Sequence, residues 1–464
     1  MQRTTACVFT GLLMCTAGLL ISLNACGGSG SAANPNIASK ILHVVVIFQE
    51  NRTPDNLFHD PALISAGADI ASSGLNSRGK EIELTPISLD NTYDLSHSHR
   101  AFLNMYDDGK MDGANRIAVD CPAEPNCAKG IEDPQFKYVT PSDVAPYFQM
   151  AEAYTFADHT FQNNQGPSFP AHQFILSGTS APSVGSPLFA AENPEGSADA
   201  GDNTGCTAPP AITVALIDPE GNETPAPPCY EHPTLTDLLN NAGISWRYYA
   251  PSPGSLWTAP NAIRHICVPD HDECTGADWT NNVVIEHAGN GNQAQILSDI
   301  RNGNLASVVW VIPGGQYSDH PWSNRGLGPS WVGDIVNAIG TSQYWSDTAI
   351  FVLWDDWGGW YDHVPPPAII NSYEYGFRVP MIVISPYVKP AHISHATHTF
   401  GSVLRYIEGN FGLPTLGYAD AAADDLSDCF DYEQTPLTFQ GIAVSREAEY
   451  FLQDKTPPTP PDDD

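Results

Sequence analysis

Two short acidic motifs each follow one of the most apolar runs in this chain. Gln49-Glu50-Asn51-Arg52-Thr53 follows the run at residues 41–48. Trp354-Asp355-Asp356-Trp357-Gly358-Gly359 ends the run at 349–354. Carboxylate and amide oxygens placed side by side can ligate a hard or borderline divalent cation, so Glu50, Asn51, Asp355 and Asp356 are candidate metal ligands. Two adjacent carboxylates directly after a buried strand are costly unless a cation or hydrogen bonds compensate them. The glycines after them let the backbone turn sharply beside a ligand. Plainer roles exist for both motifs. Asn51 or Thr53 could cap a following helix, and the acidic pair could be a surface turn. Trp354, Trp357 and Trp360 argue against a solvated turn.

A reactive alcohol is available at Ser168, in Gln165-Gly166-Pro167-Ser168-Phe169-Pro170. Its glycine and prolines constrain a tight path that could present one hydroxyl, though an ordinary turn serine would look the same. Near neutral pH a serine is a poor nucleophile and needs a base or a metal to stabilise its alkoxide. The chain has no G-x-S-x-G elbow, so a Ser-His-Asp hydrolase triad is not indicated. His97, His265 and His320 complete the set, since imidazoles can ligate metal, donate to phosphate oxygens or protonate a leaving alcohol. His320 has the best positional claim: Asp319-His320 follows the apolar run at 308–312 after a glycine-containing loop.

These residues need a scaffold. The runs at 41–48, 308–312, 349–354 and 379–385 have the length of buried strands and lack polar alternation, as parallel strands covered on both faces do. Apolar spacing predicts helices at 233–242, 331–339 and 400–408, and a further strand at 244–249. Alternating strands and helices imply an α/β fold with a mostly parallel sheet. In such sheets ligands collect beyond the carboxyl ends of strands, where the two acidic motifs fall. Residues 187–230, dense in Gly, Pro, Asn and Ala, read as an insertion or irregular cap. The Pro- and Asp-rich tail at 455–464 reads as disordered.

The ends and the composition bound the setting. Arg3, the apolar run at 6–23 and Leu23-Asn24-Ala25-Cys26 read as a signal peptide over residues 1–25, with a lipobox that would lipidate Cys26. Residues 26–38 then form a tether, and one domain spans 39–454. This predicts an exported protein, either a cell-envelope lipoprotein held to the membrane by its N-terminal lipid or, with ordinary cleavage near Ala25, a periplasmic or secreted one. The neighbouring pairs Cys121/Cys127, Cys206/Cys229 and Cys267/Cys274 suit three local disulfides in an oxidising compartment, leaving Cys429 buried or free. A net charge of −34, with only 19 Lys plus Arg, argues against nucleic acid as a partner and against electrostatic docking on anionic lipid.

Taken together, the motifs resemble the bacterial phosphoesterase family that contains phospholipases C and an acid phosphatase. The ordered markers are the stretch from His43 to Asp55, Met111-Asp112-Gly113, Gly166-Pro167-Ser168-Phe169-Pro170, Asp319-His320-Pro321, the Asp355-Asp356 turn with Gly359-Trp360-Tyr361-Asp362-His363-Val364-Pro365-Pro366, and Gly376-Phe377-Arg378-Val379-Pro380. The resemblance implies an alkaline-phosphatase-like fold and metal-dependent hydrolysis of a phosphate ester. It implies Glu50, Asn51, Asp355 and Asp356 as ligands of a divalent ion (Ca²⁺, Mg²⁺, Mn²⁺ or Zn²⁺). It also implies Ser168 as nucleophile, His97, His265 and His320 around the phosphoryl group, and His363 one shell further out. Thr53 departs from the family's usual ENRS. Ser168 with an Asp-Asp pair looks closer to the acid phosphatase branch than to phospholipases with a Thr nucleophile. A phospholipid substrate needs an apolar approach, for which the aromatic run at 354–361 is one source; the same residues could equally be core. A surface binding protein that kept the fold and lost catalysis is the reading from a different class.

Overall fold

A computed structural model of the chain describes residues 40–121, 126–197, 200–286, 294–367 and 371–461. The expected signal peptide, Cys26 and the tether lie outside the described residues, as do the last three residues of the tail. At the centre is an eight-stranded sheet. Its strands, in chain order, are β1 (His43–Gln49), β2 (Thr155–Ala157), β3 (Trp246–Ala250), β4 (Val283–Ile285), β5 (Val308–Val311), β6 (Thr348–Trp354), β7 (Met381–Ile384) and β8 (His392–Ser394). Their spatial order is β4-β3-β5-β1-β6-β7-β2-β8. The α/β architecture expected from the sequence is present.

The inner strands are apolar because both sheet faces are covered. Val44 to Phe48 in β1 and Ala349 to Trp354 in β6 are all fully buried, and each Val, Leu, Ile or Phe among them contributes about 1.5–3 kcal/mol on leaving water. Their parallel register pairs His43 with Thr348 and ends with Gln49 opposite Trp354. The next residues of the two strands are therefore Glu50 and Asp355, delivered side by side to one edge of the sheet.

One expectation needs correcting. The run at 379–385 was expected to join the parallel set, but β7 is antiparallel to both β6 and β2. Among the described residues, the connection from β6 to β7 contains no helix. A parallel return needs a crossover, usually helical, whereas an antiparallel one does not. Buried apolar runs look alike in either direction, so composition could not distinguish them. The short strands β2, β4 and β8 gave no clear pattern in the sequence.

The helices include α1 (Ala145–Ala153), α2 (Ser168–Ser177), α3 (Leu235–Ala242), α4 (Gly328–Gly340) and α5 (Phe400–Phe411). The start of α3 is set by a capping box of Thr234 and Asp237, and its end by left-handed Gly243. Thr399 and Ser402 form the equivalent box for α5. Helix α2 had no amphipathic signal because every one of its residues is buried, so it has no polar stripe to read.

The 187–230 region contains a small antiparallel sheet of Phe189–Ala190, Val214–Ile217 and Glu223–Ala226. The three expected disulfides are formed, Cys121–Cys127, Cys206–Cys229 and Cys267–Cys274, and Cys429 is a buried free thiol. The described part of the tail, residues 455–461, has no helix or strand and lies against the 314–317 turn. Gln316 Nε2 donates to Pro457 O at 3.1 Å and Thr459 N donates to Gln316 Oε1 at 2.6 Å. Gly315 N also donates to Thr459 O at 3.0 Å.

Candidate active site

Beyond β1 the chain turns at Asn51, whose φ of 61° is left-handed, a conformation Asn tolerates better than most residues. The turn is tied to the one after β6. Asn51 N donates to Asp355 Oδ1 at 2.8 Å, and Arg52 N donates to Asp356 O at 2.9 Å. Gly358, at φ 59°, closes this arrangement. A Cβ there would sit 2.5 Å from the Asn51 carbonyl oxygen, closer than any real contact. Gly358→Ala is therefore expected to destabilise the fold by about 3 kcal/mol, from left-handed strain plus overpacking. Urea unfolding checks this, and phosphoester turnover should fall with it because Asn51 must move.

Ser168 is the first residue of α2, where the positive end of the helix dipole favours a developing alkoxide. It is only 2% exposed, and its Oγ donates to Asp356 Oδ2 at 3.2 Å. One turn along α2, His172 Nε2 lies 3.2 Å from Glu50 Oε1 and 3.9 Å from Asp355 Oδ2. Glu50, His172 and Asp355 hold potential ligand atoms within 4.8 Å of one another. His172 did not stand out in the sequence. The available signal was its i+4 spacing from Ser168, which puts both on one helix face, but it required knowing that 168–177 is a helix. Burial pushes the His172 imidazole down to about 4, so it is neutral and able to ligate.

His97 orients the amide of Asn51. Its Nδ1 is 2.9 Å from Leu95 O, an atom that can only accept. That nitrogen therefore carries the proton, and Nε2 accepts from Asn51 Nδ2 at 3.2 Å. The remaining amide atom, Asn51 Oδ1, is buried without a hydrogen-bond partner, as are Glu50 Oε2 and Asp355 Oδ2. A buried unpartnered oxygen costs about 1–3 kcal/mol, more when charged. These three oxygens, beside the third carboxylate of Asp356 and the imidazole of His172, are what a divalent cation would satisfy. The donor set, mostly oxygen with one imidazole, fits Mg²⁺, Mn²⁺, Ca²⁺ and also Zn²⁺.

The electrostatics agree. Burial, then the neighbouring charge of Asp355, pushes the carboxyls of Glu50 and Asp356 well above their ordinary range. Burial opposes ionisation of Asp355 too, but a proton on the neighbouring Glu50, and then His172, hold it below its ordinary value.

His320 is also buried near this cluster. Its ring centroid is 6.1 Å from that of His97, and its Nε2 is 3.9 Å from Asp94 Oδ2. It is anchored through Asp319, whose carboxylate accepts from Tyr147 Oη at 2.7 Å and Trp354 Nε1 at 3.0 Å. The Arg52 guanidinium donates to the Asp319 carbonyl.

His265, expected at the phosphoryl group, is not brought in, and His363, expected one shell further out, bonds carboxylates outside the cluster. His265 is held between Glu231 at 2.9 Å and Asp237 at 3.3 Å. Hydrogen bonding to Asp237 outweighs burial and raises it to about 9, so it is a protonated ion-pair partner with no contact to the carboxylate cluster. His363 turns instead to Asp55 at 2.8 Å and Asp69 at 3.0 Å.

Two sequence questions are also answered. Thr53 uses its hydroxyl as a helix cap, accepting from Asn56 N at 3.1 Å and donating to Tyr361 O at 2.9 Å, a role Ser could fill equally. Trp354, Trp357 and Trp360 are fully buried and Tyr361 nearly so. The aromatic run is core and offers no apolar ramp for lipid.

Comparisons with known proteins bear on this cluster. Residues 41–414 match the phosphoesterase family. Phospholipase C B of Mycobacterium tuberculosis is 24% identical over 481 residues, covering 94% of this chain and 85% of that protein. The non-hemolytic phospholipase C of Pseudomonas aeruginosa is 24% identical, covering 84% of this chain and 57% of that one. Among solved structures, the chain is similar to a protein in the alkaline phosphatase superfamily from Vibrio parahaemolyticus, at 9% identity and a TM-score of 0.37 over 85% of this chain and 72% of that one. With its family match running from the start of β1 past the end of α5, and with Glu50, Asn51, Ser168, Asp355 and Asp356 gathered at one edge of the sheet, the chain belongs to the phosphoesterase family.

Proposed function

We propose that the protein is a metal-dependent phosphoric ester hydrolase in which Ser168 is the nucleophile. The observation that carries this reading is a single buried hydroxyl, 3.2 Å from Asp356, among three oxygens that lack partners. Glu50, Asn51, Asp355 and Asp356, with His172, would hold the cation. When bound, it supplies positive charge against the phosphoryl oxygens and the serine oxygen. The protein's own groups do the rest. Asp356 Oδ2 is placed to take the Ser168 proton as Oγ forms its bond to phosphorus. The bond from phosphorus to the departing alcohol breaks, and that alcohol takes its proton from His320 in the imidazolium form, whose Nδ1 proton is held by Pro321 O while Nε2 lies 3.9 Å from Asp94 Oδ2. Water then releases the phosphoryl group from Ser168 and restores the hydroxyl.

For substrate we propose a phospholipid, cleaved as by a phospholipase C. Relatives named phospholipase C cover most of this chain. A cavity of about 710 Å³ supports room for a head group, sharing Gln165 with the loop that leads to Ser168 and lined also by His99, Glu192 and Glu223. Burial, then the charge of Glu223, raises Glu192 to about 8. A second reading, a phosphomonoesterase of broad range, is favoured by the buried aromatic run, which removes one apolar approach for lipid. Parallel assays on phosphatidylcholine vesicles and p-nitrophenyl phosphate separate them. The first reading expects at least about tenfold higher kcat/KM on the lipid, and the reverse order supports the second. No turnover of either substrate with any divalent ion would favour a binding protein.

We further propose export and lipidation at Cys26. The three disulfides support an oxidising compartment. Among the described residues no helix is long and apolar enough to cross a membrane. Cys26→Ser is expected to move the protein from the membrane fraction to the soluble one, and unchanged fractionation would refute lipidation.

A further inference from the structure

A second group of ligand-type side chains lies on the same edge of the sheet as Ser168, but further out. Strands β2 and β8 are parallel and in register, with Ala157 opposite Ser394. Because β7 is antiparallel to both β6 and β2, β2 and β8 run in the same direction as β6. Their carboxyl ends emerge at the catalytic edge, about 10–15 Å from β6 at ordinary strand spacing. The residues that follow these ends are Asp158-His159 and His395, held together by the hydrogen bond from Asp158 N to Ser394 O at 3.2 Å.

These side chains converge. His395 Nδ1 is 2.9 Å from Asp158 Oδ1. Asp158 Oδ2 accepts from Asp69 N at 2.8 Å, and His159 Nε2 is 2.9 Å from Asp69 Oδ2. Asp158, His159 and His395 each offer a ligand atom, all within 4.8 Å of one another. The group is separate from the catalytic ligands Glu50, Asn51, Asp355 and Asp356 and shares no residue with them.

The neighbourhood is rich in carboxylates. Asp55, Asp69, Asp158 and Asp362 converge on one guanidinium, Arg378, through ion pairs and backbone bonds. His363 lies between Asp55, at 2.8 Å, and Asp69, at 3.0 Å. His159 and His395 are themselves the partners of Asp69 and Asp158, so an ion would replace those two pairings.

We propose that Asp158, His159 and His395, with Asp69 beside them, form a second cation site that takes a borderline transition-metal ion of the Zn²⁺ class and clamps the outer edge of the sheet. Two imidazoles with carboxylates select such ions over Mg²⁺ or Ca²⁺, which prefer oxygen alone. Ligation needs each imidazole to turn a lone pair to the ion and keep its proton on the other nitrogen. It also needs the ligand atoms to close by about 1.5 Å to reach tetrahedral spacing. His395 is 53% exposed on its side chain and can make that move. An ion here would join β2, β8 and the 67–72 segment, a region otherwise held at the sheet's open edge.

The test uses the full chain, stripped of metal, with the catalytic ligands removed by Asp355→Asn and Asp356→Asn. Titration with Co²⁺ is expected to give a visible ligand-field band, reversed by Zn²⁺, and equilibrium dialysis should find one Zn²⁺ per chain. Adding the exposed substitution His395→Ala should erase the band and weaken Zn²⁺ binding by roughly 100-fold or more. In the otherwise wild-type chain, His395→Ala should lower bound Zn²⁺ by one equivalent while p-nitrophenyl phosphate hydrolysis persists. That arm does not depend on how the carboxylate variant folds. The proposal is overturned if the carboxylate variant, folded by circular dichroism, binds neither ion, or if His395→Ala leaves Zn²⁺ stoichiometry unchanged in the wild-type background.

Discussion

Ser168→Ala is expected to leave the protein folded and able to bind its divalent ion while lowering phosphoester turnover by about 10³-fold or more. The small structural cost follows from position. Ser168 is the first residue of α2, where alanine is well tolerated, and the change deletes one hydrogen bond, to Asp356. The large kinetic cost follows from chemistry, because no other hydroxyl is bonded to the Asp355-Asp356 pair among the described hydrogen bonds. Ser168→Thr keeps a hydroxyl and should retain more activity than the alanine variant. Steady-state kinetics with isothermal titration of the metal would check both parts. A fall in turnover of less than tenfold, with metal binding intact, would remove Ser168 from the nucleophile's role.

Asp356→Asn is expected to act in opposite directions on stability and on function. In the metal-free protein Asp356 is fully buried beside Asp355, and burial followed by that charge raises its pKa well above normal. A raised folded-state value means that the native state holds a proton the unfolded chain has already lost, between the unfolded value of about 3.9 and the raised one. Stability of the metal-free protein therefore falls as pH rises through that window. The amide cannot ionise, so the variant should show a flatter pH profile and be more stable than wild type near neutral pH, by about 1–3 kcal/mol. The same substitution removes a ligand charge. Stabilisation by added metal should largely vanish, and turnover should drop by about 10³-fold. For the wild type, the protons held by Glu50 and Asp356 must leave when the ion binds, so metal affinity should rise with pH. Thermal denaturation across pH, with and without divalent metal, reads all of this. An Asp356→Asn variant whose melting temperature still responds to metal as wild type does would exclude Asp356 as a ligand.

Much of the scaffold could be read from local chemistry. Unbroken apolar runs marked β1, β5 and β6, and apolar residues at helical spacing marked α3 and α5. The direction of β7 could not be read, because strand polarity depends on the connection and not on the residues within the strand. Helix α2 left no trace because burial on every side erases periodicity, and His172 stayed hidden with it. His265 and His363 resembled site residues by type and neighbourhood. Their rings are claimed instead by Glu231 and Asp237 and by Asp55 and Asp69, and sequence order carries no information about which carboxylate an imidazole will meet.

From the sequence alone came the kinds of groups present and the strands that end in them: Glu50 and Asn51 after one apolar run, Asp355 and Asp356 after another, and Ser168 in a constrained turn. Only the tertiary structure decided that these groups meet. The parallel register that sets Gln49 opposite Trp354 makes Glu50 and Asp355 neighbours, and α2 brings Ser168 and His172 to them across more than a hundred residues of chain. Residue type and local pattern are written in the sequence because they follow from short-range sterics and burial. Proximity between distant segments follows from how whole layers pack, and no short stretch of the chain encodes it.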